Sequence, residues 1–120
     1  MTISYHEPIS ELSLETREIH RALTTLVEEL EAVDWYQQRL DVSRDEELKA
    51  ILLHNRDEEI EHAAMALEWL RRKIPAFHDE LQAYLFTSDS ITEIEDAGAA
   101  EADQPSAKEI GDKDLGVGKP

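Results

Sequence analysis

Glu59 and His62 stand three residues apart inside RDEEIEHAAM, residues 56–65. On a helix that spacing puts an oxygen and a nitrogen ligand on adjacent turns of one face, close enough to share a single cation. The same stripe carries Leu48, Leu52, Ala66 and Trp69, residue types that elsewhere build a core. A carboxylate among such neighbours is costly unless something pairs with it. Glu-x-x-His also arises in acidic helices without any metal, so the spacing alone leaves a solvated pair open.

A third candidate ligand lies earlier in the chain. Glu29 falls about twelve residues before Asp41, and Glu59 about fifteen after Arg44. At about 1.5 Å of rise per residue, those heights differ by roughly one helical turn. Two antiparallel helices joined near residue 43 would therefore bring both carboxylates to one level. Ala22, Thr25 and Ala32 accompany Glu29 on its side and permit close approach by another helix, with Tyr36 two turns along. Mixed carboxylate and imidazole ligation suits iron, manganese or zinc and disfavours calcium.

The elements that must position these groups are legible as helices. Leu12, Ile19, Leu23, Leu26, Leu30, Val33 and Leu40 recur at helical steps, which predicts a first helix from about Ser10 to Leu40. Ser10 or Ser13 is placed to cap its start. DVSRDEE interrupts the pattern, and Ser43 with Glu46 reads as a capping box opening a second helix. That helix runs to about Ile74, where Pro75 ends it. So short a loop makes the two helices antiparallel neighbours. AFHDELQAYLF supports a short third helix with Phe77, Leu81, Tyr84 and Leu85 along one side. The expected fold is all-α: an antiparallel two-helix hairpin, half a ferritin-like four-helix bundle, completed by dimerisation.

Composition sets the limits. Residues 1–9 read as an N-terminal extension and residues 10–86 as the folded helical part. From Thr87 to Pro120 the chain is rich in Ala, Gly, Asp, Glu, Ser and Pro, and such a segment is expected to remain a flexible acidic tail. A folded part of that size has a marginal core, for which oligomerisation is a common remedy. No cysteine is present, which removes disulfides and thiolate zinc sites. The formal charge of -16 argues against nucleic acid and anionic membranes and favours cations. No apolar run approaches the ~18 residues a spanning helix needs. With no secretory pattern in MTISYHEPIS, the expectation is a cytoplasmic protein.

Di-iron carboxylate bundles take one Glu from each of two helices and a Glu-x-x-His from each of the other two. This chain carries half of that list, so two chains about a twofold axis would complete it. EELEAVDWY (28–36), HNRDEEIEHAAMALEWLRR (54–72) and YLF (84–86), in this order, resemble the encapsulated ferritins. Those are two-helix ferritin-like proteins held inside encapsulin shells. The terminal GDKDLGVGKP, with about residues 112–120 as the candidate targeting peptide, resembles the short peptide that docks such cargo on the shell wall, though its VGKP ending departs from a longer apolar-basic stretch.

The resemblance implies dimers assembled into an annular decamer, with iron oxidised from Fe(II) to Fe(III) at interfacial di-iron centres and stored in the shell. Other divalent metals fit the same ligands. By resemblance, Glu29, Glu59 and His62 are the di-iron ligands, and Tyr36 lies beside them. Glu28, Glu31 and Trp35 correspond to a metal-entry site; read from spacing alone, they form a solvated acidic face with one exposed Trp. His54, Glu58 and Glu61 correspond to a peripheral metal site, on a helix face where a His beside carboxylates is ordinary. His6, His20 and His78 have no carboxylate at ligand spacing. Two rivals remain at this stage: a rubrerythrin-like peroxidase with the same ligands, and a non-catalytic helical dimer acting as an adaptor.

Overall fold

A computed structural model describes residues 4–102, with side chains to residue 98. The candidate targeting peptide and the rest of the chain beyond residue 102 lie outside the described residues. Among the described residues every regular element is helical. A 3-10 turn at Ile9–Glu11 is followed by α1 (Leu14–Val42), α2 (Glu46–Lys73), α3 (Pro75–Tyr84) and α4 (Ile91–Ala102). None of these helices is long and apolar enough to cross a membrane.

The first helix begins at Leu14, later than the periodicity suggested. Ser13 is its N-cap: the backbone there is extended and the hydroxyl accepts from the Thr16 N–H at 3.0 Å. Ser10 belongs to the 3-10 turn instead. The segment before the helix is tied to α1 by Arg17, which donates to the Ile9 carbonyl at 2.7 Å, and by Tyr5 stacked on His20 with ring centroids 4.0 Å apart.

At the hairpin turn the capping differs from expectation. Asp45, not Ser43, opens α2: its carboxylate accepts from the Leu48 N–H and its carbonyl from the Lys49 N–H, both at 2.8 Å. Ser43 closes α1 instead, donating its N–H to the Arg39 carbonyl at 3.0 Å. One residue cannot serve both helices when the chain between them is this short. Acidic residues at the start of α2 and Arg71, Arg72 and Lys73 at its end suit the helix dipole.

The chain divides into two compact units, one up to Trp69 and one from Leu70. In the first, α1 and α2 run antiparallel. Glu29 meets His62, while Gln37, further along α1, meets Arg56, earlier on α2. Only Leu52 and Ala63 are buried apolar residues among the described part of this unit. Leu30, Leu53, Ile60 and Met65 are exposed. Two buried side chains cannot offset the ordering of two long helices, so the hairpin is short of core by itself.

In the second unit, Pro75 occupies the first turn of α3 after Ile74 leaves helical geometry. His78 Nδ1 lies 2.5 Å from an Arg71 guanidinium nitrogen. Phe86 takes a positive φ of 60° and is fully exposed, an uncommon conformation for a bulky residue. The segment expected to lack regular structure carries α4. Its Ala and Glu content favours helix locally, and the Ile94 N–H bonds to the Ser90 carbonyl at its start. Desolvation raises the Tyr84 hydroxyl above its ordinary value, and Glu95, Glu80 and Asp96 push the same way.

Candidate metal centre

The centre grows from the seam between α1 and α2. Glu29 projects from the middle of α1, and Glu59 and His62 from successive turns of α2. One oxygen from each carboxylate and one His62 ring nitrogen all lie within 4.8 Å of one another. His62 Nδ1 is 3.4 Å from Glu29 and 3.8 Å from Glu59. The Glu29 and Glu59 side chains keep 22% and 24% of their exposure, and His62 keeps 46%. The acids are therefore partly withdrawn from water while the imidazole stays open on one side.

Two observations show that this set fits a cation. Glu29 Oε2 is buried and makes no hydrogen bond, with only the His62 ring nitrogen 3.4 Å away, an under-satisfied state for a carboxylate oxygen. Glu59 has its pKa raised above the usual 4.5. A hydrogen bond shared with Glu29 is the main cause, followed by desolvation and the Glu29 charge, with His62 opposing. Partial burial and the Glu29 charge thus disfavour a charged Glu59, and a divalent ion would relieve both.

The other expected site residues are placed as follows. Tyr36 is half-buried, seven residues along α1 from Glu29, and the Arg39 guanidinium sits 5.1 Å from its ring centroid. Glu28 is exposed, Glu31 half-buried and Trp35 about half exposed. The Trp35 side chain lines an open hollow of about 430 Å³ with Gln38 and Arg39. His54 pairs with Glu58 at 3.6 Å, and Glu61 is exposed. Among the described residues, Glu29, Glu59 and His62 are the one group of three that converges on a common point. His20 is engaged with Tyr5 and Thr24, and His78 with Arg71.

Sequence reasoning passed over Arg39, Arg56 and Gln37. Arg39 could have been found by its spacing of three from Tyr36. The Arg56–Gln37 contact spans the seam, and its only sequence signal was a long cation beside the Glu-x-x-His.

An all-helical hairpin with one Glu and one Glu-x-x-His facing across its seam is half of a ferritin-like bundle. The comparisons agree. The EncFtn-like family model matches residues 4–88, and the chain belongs to this family of encapsulated ferritin-like proteins. It is 52% identical to a Rhodospirillum rubrum protein named "Encapsulated ferritin-like protein", over 96% of this chain and 86% of that one. A Thermotoga maritima protein named "Ferritin-like protein" is 56% identical over 80% of this chain and 84% of its own length. A Myxococcus xanthus protein named "Encapsulin nanocompartment cargo protein EncC" is 35% identical over 78% and 76%. The crystal structure of a Nitrosomonas europaea protein superposes with a TM-score of 0.72 at 63% identity, covering 74% of this chain and 98% of that one.

Proposed function

We propose that the protein is a ferroxidase, oxidising Fe(II) to Fe(III) at a di-iron centre completed between two copies of the chain. The convergence of Glu29, Glu59 and His62, with one buried carboxylate oxygen making no hydrogen bond, carries this reading. It is half of a di-iron ligand list, and a twofold axis supplies the other half.

Fe(II) is the substrate: two ferrous ions yield two electrons, which O2 accepts with two protons to form hydrogen peroxide. His62 from each copy offers a neutral ring nitrogen. Glu29 and Glu59 from both copies bring four carboxylates, whose negative charge favours the ferric state. Metal takes Glu59 as the carboxylate, and because Glu59 holds a proton more tightly than usual, metal and proton compete for it. Tyr36 stands beside the centre, Glu28, Glu31 and Trp35 serve the approach of metal, and His54, Glu58 and Glu61 form a peripheral site.

The distribution of exposed apolar residues supports an assembly larger than a dimer. Leu30 shares its stripe of α1 with Gln37, and Leu53 and Ile60 share theirs on α2 with Arg56. The Gln37–Arg56 hydrogen bond therefore puts all three exposed side chains on one side of the seam, away from Tyr36 and His62. Closing the metal side with a second copy leaves this side uncovered. A third copy would cover it, and two different interfaces per chain close naturally into a ring. An annular decamer assembled from dimers fits that requirement.

The names of the Rhodospirillum and Myxococcus relatives support a further step. The protein acts as cargo of an encapsulin nanocompartment in the cytoplasm, docked through about residues 112–120, and its ferric product is stored in the shell.

His62 also pairs with both carboxylates inside one chain, as a metal-free adaptor would require. Native mass spectrometry with and without Fe(II) separates the readings. One iron per chain, bound only in even-numbered assemblies, is the expected result. The same assemblies without bound iron would leave the adaptor. Turnover much faster with hydrogen peroxide than with O2 would turn the reading to a peroxidase.

A further inference from the structure

Away from the ligands, a polar contact crosses the seam. Arg56 Nη1 donates to Gln37 Oε1 at 2.7 Å, joining α2 to α1. The guanidinium is not free to swing, because Asp57 Oδ1 accepts from its Nε at 3.2 Å and from its Nη2 at 2.9 Å. The Arg56 side chain keeps only 26% of its exposure. Arg56 lies one turn before Glu59, and Gln37 two turns after Glu29, so this contact and the ligand cluster sit at different heights on the same pair of helices.

Two contacts at different heights fix the sliding register of antiparallel helices, where one alone allows slippage. Before metal arrives the ligand cluster is the looser of the two contacts. His62 Nδ1 and Glu29 meet across the seam at 3.4 Å and His62 and Glu59 at 3.8 Å, both longer than a good hydrogen bond. A slide of one residue, about 1.5 Å, would take Glu29 out of reach of a common ion with Glu59 and His62. We propose that Arg56 is a positioning residue for the metal centre: through Gln37 it pins α1 to α2 in the register that assembles the ligands before metal binds. Arg56 touches neither metal nor substrate. The inference rests on the metal-centre reading above.

The test is Co(II) titration of the full-length protein, followed by the visible absorption of the bound ion, with native mass spectrometry to report assembly. Arg56→Met and Gln37→Leu are each expected to weaken apparent Co(II) affinity about tenfold, as loss of groups that orient metal ligands does, while assembly mass is kept. The double variant should be no worse than either single one, since one contact is removed in each case. Gln37→Glu retains the acceptor and should restore wild-type affinity and the wild-type Co(II) spectrum, which a merely destabilising change at this position would not do.

Wild-type affinity in both single variants would overturn the positioning role while leaving the centre itself in place. So would a loss in Arg56→Met alone with none in Gln37→Leu, because Arg56 would then act through packing. Failure of the wild-type protein to take up Co(II) would overturn the metal centre and this inference with it.

Discussion

The two sides of the α1–α2 seam differ in kind. On one, Glu29, Glu59 and His62 converge, and a buried Glu29 oxygen makes no hydrogen bond. On the other, Leu30, Leu53 and Ile60 lie exposed beside the Arg56–Gln37 contact. On the reading proposed above, the polar side takes an ion and a second set of ligands, so its stabilisation should follow metal and pH, and the apolar side takes another surface like itself, indifferent to both. A single hairpin can thus separate chemistry from assembly by assigning each to a flank, with the seam as the shared frame.

The largest expected effect comes from removing a ligand. His62→Ala should reduce rapid Fe(II) oxidation by about 10²-fold or more, since even residues that only orient ligands cost 10–100-fold when lost. Stopped-flow absorbance of the ferric product measures it. Contacts on the apolar side should survive, so the variant still assembles. Normal oxidation rates in this variant would remove His62 from the centre and erase the contrast between the flanks. Next in size is Ile60→Lys, which places a charge where the apolar side would be covered. Native mass spectrometry should show larger assemblies reduced to dimers that still bind about one iron per chain. Loss of iron together with the larger assemblies would mean that the flanks are not separable.

How far this division could be read from the sequence depends on the kind of contact. The convergence of Glu29 with Glu59 and His62 followed from counting along two helices joined by a short turn, because rise per residue is fixed by backbone hydrogen bonding. The stop at Pro75 was equally secure. The cap at the turn was not: Ser43 and Asp45 both suit that role, and the choice fell to Asp45 because the Ser43 N–H still serves the last turn of α1. Helix α4 escaped notice because composition speaks to core formation, whereas α4 draws on local propensity. The Arg56–Gln37 contact depends on the rotamers of two long side chains, which spacing does not encode. Nor could spacing show that a buried Glu29 oxygen would make no hydrogen bond.

A pH titration sharpens the contrast with a smaller effect. The Glu59 pKa is raised in the folded protein, so folding binds this proton more tightly than the unfolded chain does. Its contribution to metal-free stability is fully present below the ordinary glutamate value of about 4.5 and is lost as pH rises through the elevated folded value. Melting of metal-free protein should therefore show a step above pH 4.5 that Glu59→Gln removes. Metal competes for the same carboxylate, so the increase in melting temperature on adding Co(II) should shrink as pH falls through that window. Ile60→Lys should leave the step in place, because the Glu29 contact that raises Glu59 lies on the other flank. An unchanged step in Glu59→Gln would assign the proton elsewhere.

The smallest effect belongs to the frame itself. Asp45→Ala removes the carboxylate that accepts from the Leu48 N–H, a loss of about 1 kcal/mol for an N-cap. In a domain of this size that lowers the melting temperature by about 4–8 °C. The cap lies at the turn, remote from either flank, so the change should appear equally in metal-free and metal-loaded protein and leave the number of ions bound unaltered. A Ser43→Ala variant should be milder, because the part Ser43 plays in closing α1 uses its backbone N–H, which alanine keeps. If Asp45→Ala weakened metal binding as strongly as Arg56→Met, register would be set at the turn, and the contact between Gln37 and Arg56 would be its consequence.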